Sequence, residues 1–354
     1  MIAYLSTSVS DADAPAAGIL TQDAIRDNLL DHASGAWTLV EEFNSSGSTI
    51  HWVVVKNDGS LSDVGVDFYV VIGRLAATGQ IGIFLGENYN AGSNTLDTFA
   101  PRAGAYYENS ILADHSYSTG GGSTASFVLG TSFPSGAVGQ PICPVPTAAP
   151  TMRYISMVEK DYAIFAINGT VIYVGALIDD IVPAAGLDAA VPLGCFNLFD
   201  TGYPGFGSLT RHPIAAADAP MAVTSPFVLL PIWNDRKTFA QAWALSTGVW
   251  LHPDRFQDNR VAASELYALM VAGVTGGNAN NGAEKTGLIR GRFKNLRVAT
   301  FPAAVVQYDL IVVDGRKAIV LGDKNQLDSG IFVTPNGYYT DVKWGFVCDT
   351  GVVA

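Results

Sequence analysis

Residues 152–177 constrain the fold more than any other part of this chain. Read in twos, they give three short strands at 154–158, 162–167 and 171–175. The first joint is Glu159-Lys160-Asp161, a tight polar break. The second is Asn168-Gly169, the dipeptide that most readily takes the positive φ angles of a type I′ hairpin turn. A three-stranded antiparallel meander follows from pattern alone.

The surrounding chain is apolar. Of 354 residues, 49% are hydrophobic and only 15% charged, with a mean hydropathy of +0.25. That length exceeds the usual size of one core, so two or three packed modules are expected. No apolar run approaches the roughly 20 residues needed to span a bilayer. Met1-Ile2-Ala3-Tyr4 lacks the basic region of a signal peptide, and Asp11 and Asp13 follow early. The apolar surplus is expected in large cores or subunit interfaces, and assembly is the favoured reading. Net charge is −12, from 20 basic and 32 acidic residues, which argues against broad contact with nucleic acid. Cys143, Cys195 and Cys348 are odd in number and widely spaced. They suit buried free thiols better than a disulfide framework or a zinc site.

Helix is scarce. One is expected over 21–32, capped by Thr21, with Ala24, Ile25, Leu29 and Leu30 as its apolar stripe. A second is expected over 264–271, where Leu266, Leu269 and Met270 share a helical face. Strands are expected at 37–43, 50–56, 67–73 and 80–85, separated by Gly, Ser and Asn clusters. The segment 92–150 contains Gly120-Gly121-Gly122 and ends rich in proline, and it reads as extended loops. The C-terminal block gives strands at 289–299, 309–313 and 317–321, with Asp314-Gly315 as a second strong hairpin turn. The fold class is therefore mainly β: antiparallel sandwich or barrel-like modules with a short N-terminal helix and long loops. The expected divisions are 1–40 (helix and arm), 41–150 (first β module with a loop arm), 151–285 (central meander) and 286–354 (C-terminal β module).

Strong catalytic signatures are missing. His32, His51, His115, His212 and His252 include no pair at helical metal-ligand spacing. There is no nucleophile elbow, phosphate-binding glycine loop or dinucleotide fingerprint. Asp179-Asp180 reads as a solvated turn, since adjacent carboxylates on a strand end point apart. The loop 276–282 has amides but no carboxylate, so it reads as a flexible loop rather than a calcium site. Trp233, Trp243 and Trp250 could stack on sugar rings, as could Tyr106 and Tyr107; core and interface packing is the plainer reading. Arg290, Arg292 and Lys294 alternate along one strand, an edge-protecting face or a dock for a neighbour's acidic patch. No cofactor, metal or catalytic residue is expected.

Several blocks together resemble structural proteins of tailed bacteriophages. Gly35-Ala36-Trp37-Thr38-Leu39-Val40-Glu41 is similar to their opening. The meander from Tyr154-Ile155-Ser156 to Tyr173-Val174-Gly175, with Pro192-Leu193-Gly194 after it, is similar to their middle. Gly248-Val249-Trp250 and the block 288–321, with Tyr308-Asp309 and Val313-Asp314-Gly315, resemble their C-terminal part. The blocks keep their order over roughly half of the chain; segments 92–150 and 201–222 depart from the pattern. The resemblance implies a non-enzymatic virion component of the tail tip or baseplate region, made in the host bacterial cytoplasm. Its partners would be other virion proteins and copies of itself, without nucleic acid or membrane insertion. A head–tail collar or capsid-associated position is the neighbouring alternative.

Two rivals make different demands. A glycan-binding receptor module needs the tryptophans exposed in a shallow groove. A glycosidase needs two carboxylates facing each other about 5–10 Å apart. On the assembly reading, segment 92–150 is an arm anchored on a neighbour by Tyr106, Tyr107, Phe127 and Phe133, and each subunit contact exceeds about 1,000 Å².

Overall fold

The computed structural model describes residues 2–8, 14–62, 64–86, 88–97, 126–133, 142–143, 151–167, 170–178, 193–197, 206–209, 230–231, 262–271, 287–302, 304–313, 315–325 and 342–352. In chain order these form β1 (Ile2–Ser8), α1 (Ala14–Leu30), β2 (Trp37–Asn44), β3 (Ile50–Asn57), β4 (Phe68–Leu75), β5 (Ile81–Gly86), β6 (Asn88–Asn90), β7 (Thr95–Asp97), β8 (Ser126–Val128) and β9 (Ile142–Cys143). There follow β10 (Thr151–Val158), β11 (Tyr162–Ile167), β12 (Thr170–Ala176), β13 (Leu193–Asn197), β14 (Phe206–Leu209), β15 (Leu230–Pro231), β16 (Ala262–Val271), β17 (Gly287–Pro302), β18 (Leu310–Val313), β19 (Arg316–Asn325) and β20 (Val342–Val352).

The protein is mainly β. Its described strands form four sheets: a meander sheet β1-β10-β11-β12-β13-β14, an inner sheet β2-β3-β4-β5-β9, a small cap sheet β6-β7-β8 and a C-terminal sheet β15-β16-β17-β20-β19-β18. Every pairing among the described strands is antiparallel. None of these sheets closes into a barrel. Both expected hairpins form. Ile167 pairs with Thr170 across Asn168-Gly169, and Val313 pairs with Arg316 across Asp314-Gly315. Asn168, Gly169 and Asp314 themselves lie outside the described residues; Gly315 has φ +72°.

Alternation along the strands stacks these sheets into layers. One face of the inner sheet carries Val53, Val55, Val70, Ile72, Ile81 and Ile83. It packs against Ile25 and Leu29 of α1 and against Tyr154, Phe165, Ile172 and Val174 of the meander. Its other face carries Trp52, Val54, Val71 and Phe84, covered by Tyr89, Leu96 and Leu129 in and beside the cap sheet. The opposite face of the meander, with Met157, Tyr162 and Tyr173, receives the C-terminal sheet. The inner and meander sheets are therefore covered on both sides. This is why β5 and β11 are apolar at nearly every position and buried along their whole lengths. Two-sided burial places much of the apolar surplus inside one chain.

Two helix expectations need correction. Residues 264–271 are not helical; they lie in β16, between β15 and β17. Register shifts between Glu265 and Tyr267 and between Ala268 and Leu269 break the two-residue period. Leu266, Leu269 and Met270 thereby imitate a helical stripe. Thr21 is no cap either, since α1 begins seven residues earlier. Its hydroxyl donates to the Ala17 carbonyl at 2.8 Å, within the helix. Pro15 suits a first turn. Gly18 depresses the helical signal there, but its missing Cβ lets α1 lie against Gly79 in the β4–β5 turn.

Sheet membership also crosses the expected divisions. The meander sheet takes β1 from the first segment, and the C-terminal sheet joins β15 and β16 to β17–β20 across residue 285.

Candidate assembly surface and the joint behind it

The Glu159-Lys160-Asp161 turn is the joint of the molecule. Trp37 Nε1 donates to the Glu159 carbonyl at 2.7 Å, and Asn57 Nδ2 donates to the Lys160 carbonyl at 2.9 Å. Both donors come from the inner sheet. From the other side, Lys294 Nζ donates to the Asp161 carboxylate, and the two form an ion pair. Asp161 is almost fully buried, so its charge requires this partner. Three consecutive residues thus hold three sheets together.

A break in β17 brings Lys294 there. Glu265 pairs with Arg297 and Tyr267 with Arg292, so residues 293–296 have no rung with β16. Asn295, at φ +54°, turns the strand within this break. Phe293 then meets Tyr173 edge-on at 4.8 Å between centroids, and Tyr173 stacks on Tyr162 at 5.5 Å. Asn295 Nδ2 donates to the Tyr162 hydroxyl at 2.6 Å, and the Tyr173 hydroxyl donates to the Ala176 carbonyl. Burial pushes both phenols well above the ordinary tyrosine value. Nearby, the Cys348 thiol lies 3.0 Å from the Met157 sulfur. It is free and buried, and desolvation raises its pKa, so it stays a neutral thiol.

The far face of the C-terminal sheet holds a second buried charge. Arg297 donates through Nε to Asp349 at 3.0 Å and again through Nη2, while Arg316 approaches the other carboxylate oxygen at 3.3 Å. Ala299, Val313, Ala318, Val320 and Val347 pack around this pair.

Beyond these packed faces, large apolar side chains reach solvent at the sheet margins. β18 lies at one end of the C-terminal sheet among the described strands. It alternates exposed and covered residues, with Leu310 71% and Val312 56% exposed and Val313 fully buried. Val306, just before it, is 50% exposed. On β2, at one end of the inner sheet among the described strands, Leu39 and Val40 are exposed beside the register shift between Leu39 and Glu41. Val128 is exposed on β8. These edges are the candidate assembly surface.

The described interface candidates from the sequence take the following positions. Lys294 turns inward to Asp161. Arg292 pairs with Tyr267, and Arg290 falls in the shift between the Ala268–Gly291 and Leu269–Ile289 pairs. Strict alternation therefore does not run unbroken from Arg290 to Lys294. Phe133 packs against Trp52 and Phe84 of its own chain, at 5.9 and 5.7 Å. Phe127 pairs with Leu96 in the cap sheet. Tyr106, Tyr107, Trp233, Trp243, Trp250, Asp179, Asp180 and loop 276–282 lie outside the described residues. The sequence reading missed Trp37, Asn57, Asp161 and Asn295 as fasteners. The polar turn was visible, but its long-range donors were not.

Among the described residues, no group of three His, Cys, Asp or Glu side chains is placed to hold a metal ion. No described helix is long and apolar enough to cross a membrane.

No family model matches this chain, and no curated protein matches it. Among solved structures, a crystal structure of the glucosidase II alpha subunit aligns with 97% of the chain at 9% identity and a TM-score of 0.20. The chain spans about a third of the length of that structure, 34%. A likeness of that size carries no argument about fold or activity.

Proposed function

We propose that this chain is a non-enzymatic structural component of a tailed-phage particle, in the tail tip or baseplate region, acting through many subunit contacts. The ordered sequence resemblance motivates this reading. The observation that supports it is β18, a short strand at the end of its sheet among the described strands, which gives Leu310 and Val312 to solvent while its other face closes a core. An uncharged edge of this kind favours pairing with another chain unless something protects it. On this reading the partners are other virion proteins and further copies of the chain. It is made in the host cytoplasm and carried in the virion, with no cofactor, nucleic acid or membrane insertion in its task.

The test is a mass measurement of the purified protein by light scattering, followed by electron microscopy of particles carrying a tagged copy. An oligomer and a regular position in the tail are the expected results. Leu310→Lys with Val312→Lys should lower incorporation while leaving the circular dichroism spectrum unchanged. A monomer absent from purified particles would sink the proposal. Glycan binding retained by that monomer would favour the receptor-module rival.

A further inference from the structure

Which backbone groups β18 turns outward follows from its ladder with β19. Val320 N donates to the Asp309 carbonyl at 3.0 Å, and the pairs from Leu310–Ile319 to Val313–Arg316 run without a register shift. N–H and C=O groups alternate sides along an antiparallel strand, so Asp309, Ile311 and Val313 face β19. Leu310 and Val312 turn theirs the other way, where no described strand pairs with them. The same residues carry the exposed apolar side chains. Backbone demand and apolar surface thus coincide at the positions on either side of Ile311.

β18 also lacks the usual protection of an edge. Leu310–Val313 contains no charge, no proline and no shift in register. β2, at one end of the inner sheet among the described strands, has two of these protections: Glu41 and Glu42, and the shift between Leu39 and Glu41.

We propose that β18 pairs antiparallel with β18 of a second copy of this chain, about a two-fold axis through Ile311. The inference rests on the assembly reading above and names the occupant of this edge. Leu310 then lies opposite the partner subunit's Val312, and Val312 opposite the partner subunit's Leu310. Both are hydrogen-bonded pairs, so the outward backbone groups of the two strands satisfy one another. On that face the exposed apolar side chains cover each other. On the other face Ile311 meets its counterpart. It is partly buried against Val313, Ala318 and Val320, so the contact joins two such clusters into one. Asp309 falls opposite Val313, and no like charges face each other across residues 309–313. The match needs no feature that this strand does not itself carry. An edge of four residues covers less than the roughly 1,000 Å² of a stable contact, so the pairing is reversible and depends on concentration.

The experiment is cross-linking of the purified full chain with diamide, the wild type and its three cysteines setting the background. Leu310→Cys mixed with Val312→Cys should give a disulfide dimer several-fold above background, since those partners stand about 5.5 Å apart at Cα. Each alone should stay at background, because its own counterpart is about 8–9 Å away, beyond disulfide reach. Ile311→Cys alone should cross-link, at about 4.5 Å. Background yield from the mixture or from a folded Ile311→Cys overturns the pairing, as does equal cross-linking by Leu310→Cys alone. If Ile311→Cys does not fold, the mixture decides, because Leu310 and Val312 are exposed. Incorporation into tails is read separately. Tails that take up a chain showing no cross-link keep the virion reading and discard the dimer, and a cross-linked dimer absent from tails does the reverse.

Discussion

Replacing Gly18 by Ala sets two known effects against each other. In an open helix the change is favourable, because Ala exceeds Gly in helix propensity by about 1 kcal/mol. Here an added Cβ would lie 2.4 Å from the Gly79 carbonyl oxygen and 2.5 Å from its Cα. Ordinary contact begins near 3.4 Å, so α1 or the turn must move by about 1 Å. The turn is tied by Gly79 N to the Leu75 carbonyl at 2.8 Å, Leu75 N to the Gln80 carbonyl at 2.9 Å and Ala76 N to the Thr49 carbonyl at 2.9 Å. The helix must therefore retreat, and it carries the fully buried Ile25 and Leu29. A gap of 0.5–1 Å forfeits about a quarter to a half of each contact's attraction. For two side chains whose burial contributes about 1.5–3 kcal/mol each, the loss is about 1–3 kcal/mol, with overpacking of similar size. Less the helix-propensity gain, the net expectation is destabilisation by about 1–5 kcal/mol. Urea unfolding followed by tryptophan fluorescence reads it as a lower midpoint with an unchanged slope. A Gly18→Ala protein at least as stable as wild type would refute the close-approach argument.

Arg297→Met should cost about 3–5 kcal/mol, because Asp349 stays buried with the half-exposed Arg316 as its remaining ion-pair partner among the described residues. Adding Asp349→Leu should recover most of that loss in the same unfolding assay. Gly315→Val should destabilise the β18–β19 hairpin by about 1–3 kcal/mol, since a β-branched residue tolerates φ +72° poorly; Gly169→Val is expected to act likewise. Tyr154, Tyr162 and Tyr173 have folded pKa values above the ordinary 10.0 because they are buried. Their stabilisation is complete below pH 10 and is lost as pH rises through the folded values. The unfolding midpoint should accordingly fall between pH 9.5 and 11.5, and an unchanged midpoint would contradict the burial of these phenols.

The meander was legible because its turns are local: Ile167 and Thr170 face each other across two residues, and the chain supplies Asn-Gly there. The Asp314-Gly315 hairpin and the strands from Trp37 to Gly86 were readable for the same reason. Local pattern failed where long-range pairing prevailed. Residues 264–271 lost their strand signature to two register shifts. The sequence reading placed no strand at Ile2–Ser8 or Val342–Val352, whose partners are far away in the chain. The fasteners were harder still. Nothing next to Asp161 announces that it will be buried, because its lysine is 133 residues away. The exposure of Leu310 and Val312 depends on their strand being the outermost one described, which composition cannot tell.

The pairing of β1 with β10 has a consequence for how the chain is made. Ile2 meets Met157, and the α1 face of the inner sheet is completed by strands that begin at Thr151. At about 5–20 residues per second, a ribosome needs roughly 6–30 s to deliver those partners after the first hairpins emerge. For that interval Val53, Val55, Val70, Ile72, Ile81 and Ile83 have no meander to face. A nascent chain arrested near residue 100 should therefore be a substrate for ribosome-associated chaperones, and one arrested far enough downstream for β10–β12 to have left the ribosome a much poorer one.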